Sequence, residues 1–189
     1  MVYAFLVHTV NPGPCRILFA AFYGCEDSES EIPDEKLRAR RKEQLNQIAE
    51  QVQSEFSFRS STTGTKYSGE GISDELLAVK ETGFFRLASG CPFKESKFVL
   101  WMTQARCGYT IVMEEDENRI LAENVLNLML RLIDVYVKKQ DETTIQILLK
   151  ADKMASVVHL FLPNGQLQFI NHRVVEQYQK ELELLLSGK

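Results

Sequence analysis

With 189 residues, 44% of them apolar and 25% charged, the chain has the size and composition of one globular domain. Its formal net charge of -4 argues against a general nucleic-acid binder, so no direct nucleic-acid contact is expected. The most apolar window, residues 120–137, contains Glu123, Arg131 and Asp134, which excludes it as a membrane span.

The predicted elements begin with a strand over residues 2–10 that is apolar at successive positions. A strand covered on one face only would alternate apolar and polar residues, so this strand is expected mid-sheet with helices above and below it. The turn at 11–14 and a second apolar strand over 16–23 predict a hairpin. An acidic loop over 24–33 follows.

A long helix is predicted from Asp34, a favourable N-cap residue, to about Phe56. Its apolar residues recur at spacings of three and four, which indicates one buried face. The segment that follows is rich in Ser, Thr and Gly and poor in apolar groups, so a flexible loop is expected over residues 57–80.

The second half of the chain supplies three more strands and the remaining helices. The acidic run 114–117 is interpreted as complementing the positive end of a helix dipole, rather than as a metal site. Residues 145–149 are ambiguous between strand and helix. The strands are predicted over 84–88, 97–102 and 108–113. One helix is predicted to end near Lys138, and two further helices are predicted over 154–160 and 172–186.

This order of elements predicts a single α/β domain over residues 1–189. We expect a longin-like fold, in which five mostly antiparallel strands lie between one helix on one face and two or more helices on the other. Cys15, Cys25, Cys91 and Cys107 fit neither a CxxC pair nor a zinc framework. The sequence also has no glycosylation sequon and no leader before the first strand. Together with the cysteine spacing, this predicts a cytoplasmic protein with reduced thiols.

The three histidines are the first candidates for catalytic residues. Cys15 faces His8 across the predicted hairpin, so a small hydrolase using this pair is one hypothesis. A buried cysteine beside a hydrogen-bonded histidine is the favoured interpretation, because no recognised nucleophile, zinc or phosphate-loop motif occurs. The sequence therefore predicts no enzyme activity, no metal and no cofactor.

A basic cluster, Arg38, Arg40, Arg41 and Lys42, lies on the first predicted helix. A solvated helix face is the favoured interpretation, and docking on an anionic membrane surface or on a partner is the alternative. In the last helix, Leu185 continues the apolar face that contains Leu182, so we interpret both as buried rather than as part of a sorting signal.

Three segments carry a family resemblance: MVYAFLVHT at residues 1–9, FRLASGCPF at 85–93 and LFLPNGQLQFIN at 160–171. Together they resemble the small (sigma) subunit of the fifth heterotetrameric adaptor-protein complex. The resemblance spans nearly the whole chain and implies a longin-like fold. It carries over no cargo-binding residue to any position of this sequence.

The resemblance also implies partners and a location. The partners would be the large (zeta and beta) and medium (mu) subunits of the same complex and two spastic-paraplegia-linked accessory proteins. The protein would be peripheral on late endosome and lysosome membranes, where the complex acts in endosomal protein transport and cargo retrieval. The family has been linked to DNA repair, which leaves room for a nuclear pool.

The helix over residues 119–137 shows more apolar surface than one sheet face can cover. We therefore expect it to pack against a large subunit as well. The alternative function is a free longin-type regulatory module for a membrane-fusion protein or a small GTPase. The expected interface residues are Val125, Leu128, Leu132, Val135, Tyr136, Val157, Leu160 and Phe161.

Overall fold

A computed structural model describes residues 1–24, 33–62, 80–104, 106–137 and 150–187. Within them one antiparallel sheet has the strand order β2-β1-β5-β4-β3. The first strand lies between two others and is buried on both faces, as its sequence predicted. The strands are β1 (Val2–Thr9), β2 (Ile17–Phe22), β3 (Thr82–Leu87), β4 (Lys97–Gln104) and β5 (Cys107–Glu114).

Helices cover both faces of this sheet. A short 3-10 turn, Pro163–Gly165, connects the last two helices, and Asn164 and Gly165 there adopt positive φ angles of 50° and 74°. Glycine and asparagine tolerate this conformation, which explains the Pro-Asn-Gly sequence of the turn. The helices are α1 (Asp34–Thr62), α2 (Arg119–Tyr136), α3 (Ala151–Phe161) and α4 (His172–Ser187).

The sheet separates two hydrophobic cores. On one face, Leu6 and Trp101 pack with Ile48 of α1. On the opposite face, Phe5 and Tyr109 pack with residues of α2, α3 and α4. The alternation of side chains along each strand sends neighbouring residues into different cores. One helix therefore covers one face and three cover the other, which confirms the predicted longin-like sandwich.

Helix α1 is longer than predicted, because it continues six residues beyond Phe56 to Thr62. Arg59 explains the extension: it donates a hydrogen bond to the Thr82 carbonyl oxygen at 2.8 Å and its guanidinium lies 5.2 Å from the Trp101 ring. Ser60 is buried. The start of the expected loop is thus helical, whereas residues 63–79 lie outside the described residues.

The acidic run before α2 has a different role from the one predicted. Glu114 ends β5, and α2 begins only at Arg119 with Asn118 as its N-cap, whose side-chain oxygen accepts from the Leu121 amide at 3.0 Å. Glu117 and Glu114 instead lie 2.7 and 3.2 Å from the Met1 ammonium nitrogen. Partial burial opposes protonation of this amine, but both carboxylates together raise its pKa.

Helix α4 is attached to the second core through few side chains. Leu182 is fully buried, and the Tyr178 ring packs against Phe161 at a centroid distance of 5.3 Å. The prediction for Leu185 is wrong, because 58% of its surface is exposed. The predicted segment 145–149 and most of the acidic loop, residues 25–32, lie outside the described residues.

Replacing Leu182 with alanine is expected to lower the free energy of unfolding by about 2 kcal/mol, near the low end for buried leucines. The value is low because a helix end can relax around the cavity. Urea denaturation followed by circular dichroism measures the effect, with the exposed Leu184→Ala as the control. A midpoint unchanged by the Leu182 substitution would contradict its buried position.

Candidate functional site

The predicted Cys15 and His8 pair is brought together by the β1–β2 hairpin. The Cys15 Sγ lies 3.7 Å from His8 Nδ1 and donates to the Thr9 carbonyl oxygen at 3.3 Å. His8 Nδ1 is 3.1 Å from the same carbonyl oxygen, which can only accept, so Nδ1 carries the hydrogen. His8 Nε2 lies 3.1 Å from the Thr110 hydroxyl oxygen and accepts from it.

The electrostatics of this pair oppose nucleophilic chemistry. Burial lowers the pKa of His8 to about 4, although the hydrogen bond to Thr9 works in the other direction. Burial and the charge of Glu50 raise the pKa of the Cys15 thiol. A thiolate–imidazolium pair needs a lowered pKa of the thiol and a raised pKa of the imidazole, the reverse of what is found here. Cys15 therefore remains a protonated thiol near neutral pH. The geometry favours the structural interpretation of both residues.

No group of three His, Cys, Asp or Glu side chains suited to holding a metal ion occurs among the described residues. In the same part of the chain, no helix combines the length and the apolar character needed to cross a membrane.

The predicted basic cluster is divided by α1 into two sites. Arg40 lines a groove of about 360 Å³ beside Glu43 and Cys91. The other three cations line a larger groove of about 690 Å³ between α1 and the edge strand β2, which we call the edge groove. Its described lining comprises Arg16, Ile17, Ala20 and Phe22 from the β2 side and Arg38, Arg41, Lys42, Leu45 and Asn46 from α1.

The edge groove combines positive charge with an apolar floor. The Arg41 guanidinium lies 5.1 Å from the centre of the Phe22 ring, an arrangement that fixes the cation through its attraction to the ring face. Arg38 and Lys42 are exposed at the rim. Among its described lining residues none is acidic, so the edge groove suits an anionic ligand.

The expected subunit interface differs from the surface that the structure presents. Five of its eight residues are buried inside the chain, because α2 packs on the sheet and on α3, and α3 packs in turn on α4. Leu128 and Tyr136 are half-buried, and only Val135 is largely exposed, at 68%. The residues that are already buried are Val125, Leu132, Val157, Leu160 and Phe161.

Exposed apolar side chains instead cluster at the start of α2. Phe169 and Ile120 are 90% and 73% exposed, and both line a groove of about 220 Å³. Val135 lies on the same face of α2 as Ile120, about four turns further on. We call this the apolar groove; its apolar lining is Ile120, Leu121, Val125, Leu128, Phe169 and Ile170.

The sequence analysis missed Ile120 and Phe169. Ile120 belongs to a helix that is apolar on more than one face. The sequence alone does not show which of these faces the other helices cover. Phe169 lies beside Ile170 in the short segment after the 3-10 turn, and nothing in this local pattern distinguishes an exposed aromatic residue from a buried one. An exposed cluster of large apolar side chains is typical of a protein–protein contact.

One comparison concerns the fold. One chain in a homology model of the full-length AP-3 complex in a stretched open conformation superposes with a TM-score of 0.50. The match covers 100% of this chain and 97% of that chain at 11% sequence identity. At this identity the similarity concerns the fold alone, and it supports the longin-like architecture.

The sequence comparisons define the family. A family model described as AP-5 complex subunit sigma-1 matches residues 1–183. The human AP-5 complex subunit sigma-1 is 34% identical over 194 residues, which cover 96% of each chain. The mouse AP-5 complex subunit sigma-1 is 34% identical over 149 residues, covering 70% of this chain and 86% of the relative. The chain belongs to the AP-5 complex subunit sigma-1 family, as its sequence resemblance indicated.

Proposed function

We propose that this protein is the non-catalytic small subunit of a heterotetrameric adaptor complex in endosomal vesicle and protein transport. The family match over residues 1–183 carries the proposal. The complex would contain the large (zeta and beta) and medium (mu) subunits and associate with the two spastic-paraplegia-linked accessory proteins. It would act in the cytoplasm, peripherally on late endosome and lysosome membranes, in cargo retrieval.

The absence of activated chemistry at Cys15 and His8 supports a non-catalytic role, because these residues were the strongest catalytic hypothesis. The apolar groove supports assembly with other chains. Its exposed members Ile120 and Phe169, together with Val135 along α2, form a surface whose transfer from water would favour association. We propose that a large subunit covers this surface, in place of the interface expected from the sequence.

Substitution of Ile120 and Phe169 by aspartate is expected to abolish or strongly reduce co-purification with the large subunits, because the contact would bury unpaired carboxylates. The measurement is affinity purification of the tagged chain from cells, with quantification of each co-purifying subunit. Phe58→Asp provides a matched control, since Phe58 is a 69% exposed aromatic residue on α1, across the sheet.

The outcomes separate the function from the interface. If the unmodified chain co-purifies with no large subunit, and its native mass is that of a free module, the proposed function is wrong. If both unmodified and substituted chains retain the large subunits equally, the subunit assignment stands and the apolar groove is not the contact. Far-UV circular dichroism of the variants confirms that they fold.

A further inference from the structure

The edge strand β2 has one neighbouring strand in the sheet that the structure describes. Within the residues described, β2 forms its ladder with β1 alone, so none of the described strands pairs with its other edge. Such an edge is a template for another extended segment, which would lie about 4.8 Å away and gain backbone hydrogen bonds. Ala20, in the middle of β2, is exposed and small, so it leaves room on the α1 side.

Helix α1 forms a wall over this open edge. Its buried residues begin only at Gln44 and Leu45, and none of residues 34–43 is buried. The first turns of α1 therefore contribute to the rim of the edge groove rather than to the core. They carry Arg38, Arg41 and Lys42 into the edge groove, where Arg16 adds a cation from the β2 side.

We propose that the edge groove binds an extended acidic peptide of a partner protein, which adds to the sheet as a sixth strand beside β2. Strand addition uses the open backbone edge, and every second side chain of the added strand points toward α1. Glutamate at these positions pairs with the cations at the rim. Its methylene groups pack on the apolar floor formed by Ile17 and Leu45.

Charge complementarity and the apolar floor select this ligand over a lipid headgroup. A phosphorylated headgroup would use the cations alone and leave the floor and the open strand edge without a role. An extended peptide with glutamate at every second position uses all three features, through its backbone, its carboxylates and its methylene groups. Because the chain as a whole carries a net charge of -4, the cations of the edge groove are a local feature that would attract acidic segments selectively.

The test is a fluorescence-anisotropy titration of the full chain with a fluorescein-labelled octapeptide that alternates glutamate and valine. We expect saturable binding that weakens at high salt. Arg38→Gln combined with Lys42→Gln should weaken it about tenfold, since two ion pairs are lost and the Arg41 contact with Phe22 is kept. Arg131→Gln combined with Arg173→Gln, exposed cations on α2 and α4, should leave binding unchanged.

Two further comparisons test the strand geometry. A peptide that is N-methylated at its two central, adjacent residues should lose binding, because one of any two adjacent N–H groups in the added strand must donate to β2. Ala20→Glu should also abolish binding by placing a carboxylate in the edge groove. Its control is Ala155→Glu, at an exposed alanine of α3, which should not affect binding.

Three results would overturn the proposal. The first is no binding of the parent peptide by the folded chain. The second is equal binding of the parent and the N-methylated peptides, which would mean that charge alone drives the contact. The third is binding to vesicles containing 20% phosphatidylserine that depends on Arg38 and Lys42, with no binding of the peptide, which would identify a membrane contact.

Discussion

Replacing Trp101 with alanine is expected to lower the free energy of unfolding by about 3–5 kcal/mol, the range for large aromatic residues in a core. Trp101 is fully buried between β4 and α1, with the Phe56 ring at a centroid distance of 6.3 Å. Its Nε1 donates to the Glu55 carboxylate at 3.2 Å. The substitution leaves a cavity and removes a donor from a partly buried carboxylate.

Chemical denaturation followed by far-UV circular dichroism measures this effect, because Trp101 is the one tryptophan of the chain and its fluorescence is lost with it. Phe58→Ala is the control, and as an exposed position it should change stability by less than about 0.5 kcal/mol. Gly83→Ala should mimic the effect, since a Cβ there would lie 2.1 Å from the Trp101 ring. A loss below about 1 kcal/mol for Trp101→Ala would contradict the packing described.

Acidification is expected to destabilise the fold through His8. Burial lowers its pKa from 6.5 to about 4 in the folded chain, so the unfolded chain takes up the proton first. The stability from this group is complete above pH 6.5 and is lost as the pH falls toward 4. Because each tenfold change in proton affinity is worth about 1.4 kcal/mol, the total loss is about 3 kcal/mol.

Denaturation curves recorded between pH 7.5 and 4 measure this dependence. His8→Gln should flatten the slope between pH 6.5 and 4.5, where most carboxylates have not yet titrated. His172→Gln serves as the control, because His172 is exposed on α4 and its removal should keep the slope. If the His8→Gln chain loses stability as steeply as the unmodified chain, the acid sensitivity has another origin.

The sheet and its helices could be predicted from local patterns. Continuous burial along β1 followed from apolar residues at successive positions, and the buried face of α1 followed from the spacing of Leu45 through Phe56. These signals are local because side-chain direction changes with a fixed period along a strand or a helix. The positions of the apolar residues within one segment therefore show which of its faces is buried. The family resemblance added the longin-like class, which the comparisons support.

The sites could not be predicted in the same way, because they depend on residues far apart in sequence. Glu114 and Glu117 form ion pairs with the Met1 ammonium group, from which more than 110 positions separate them in the sequence. Ile120 and Phe169 line one groove although 49 positions separate them in the sequence. The sequence shows that α2 is apolar on more than one face, but composition cannot distinguish a covering helix of the same chain from a separate subunit.

The sparse attachment of α4 has a kinetic consequence. Among its described side chains only Leu182 is fully buried, and a 16-residue helix is marginal in water without tertiary support. Its backbone amides should therefore exchange with deuterium through local opening, long before those of the central strand β5. A protein that docks along α4 would suppress this local opening. Slowed exchange confined to the carboxy-terminal helix would therefore report assembly without any label on the partner.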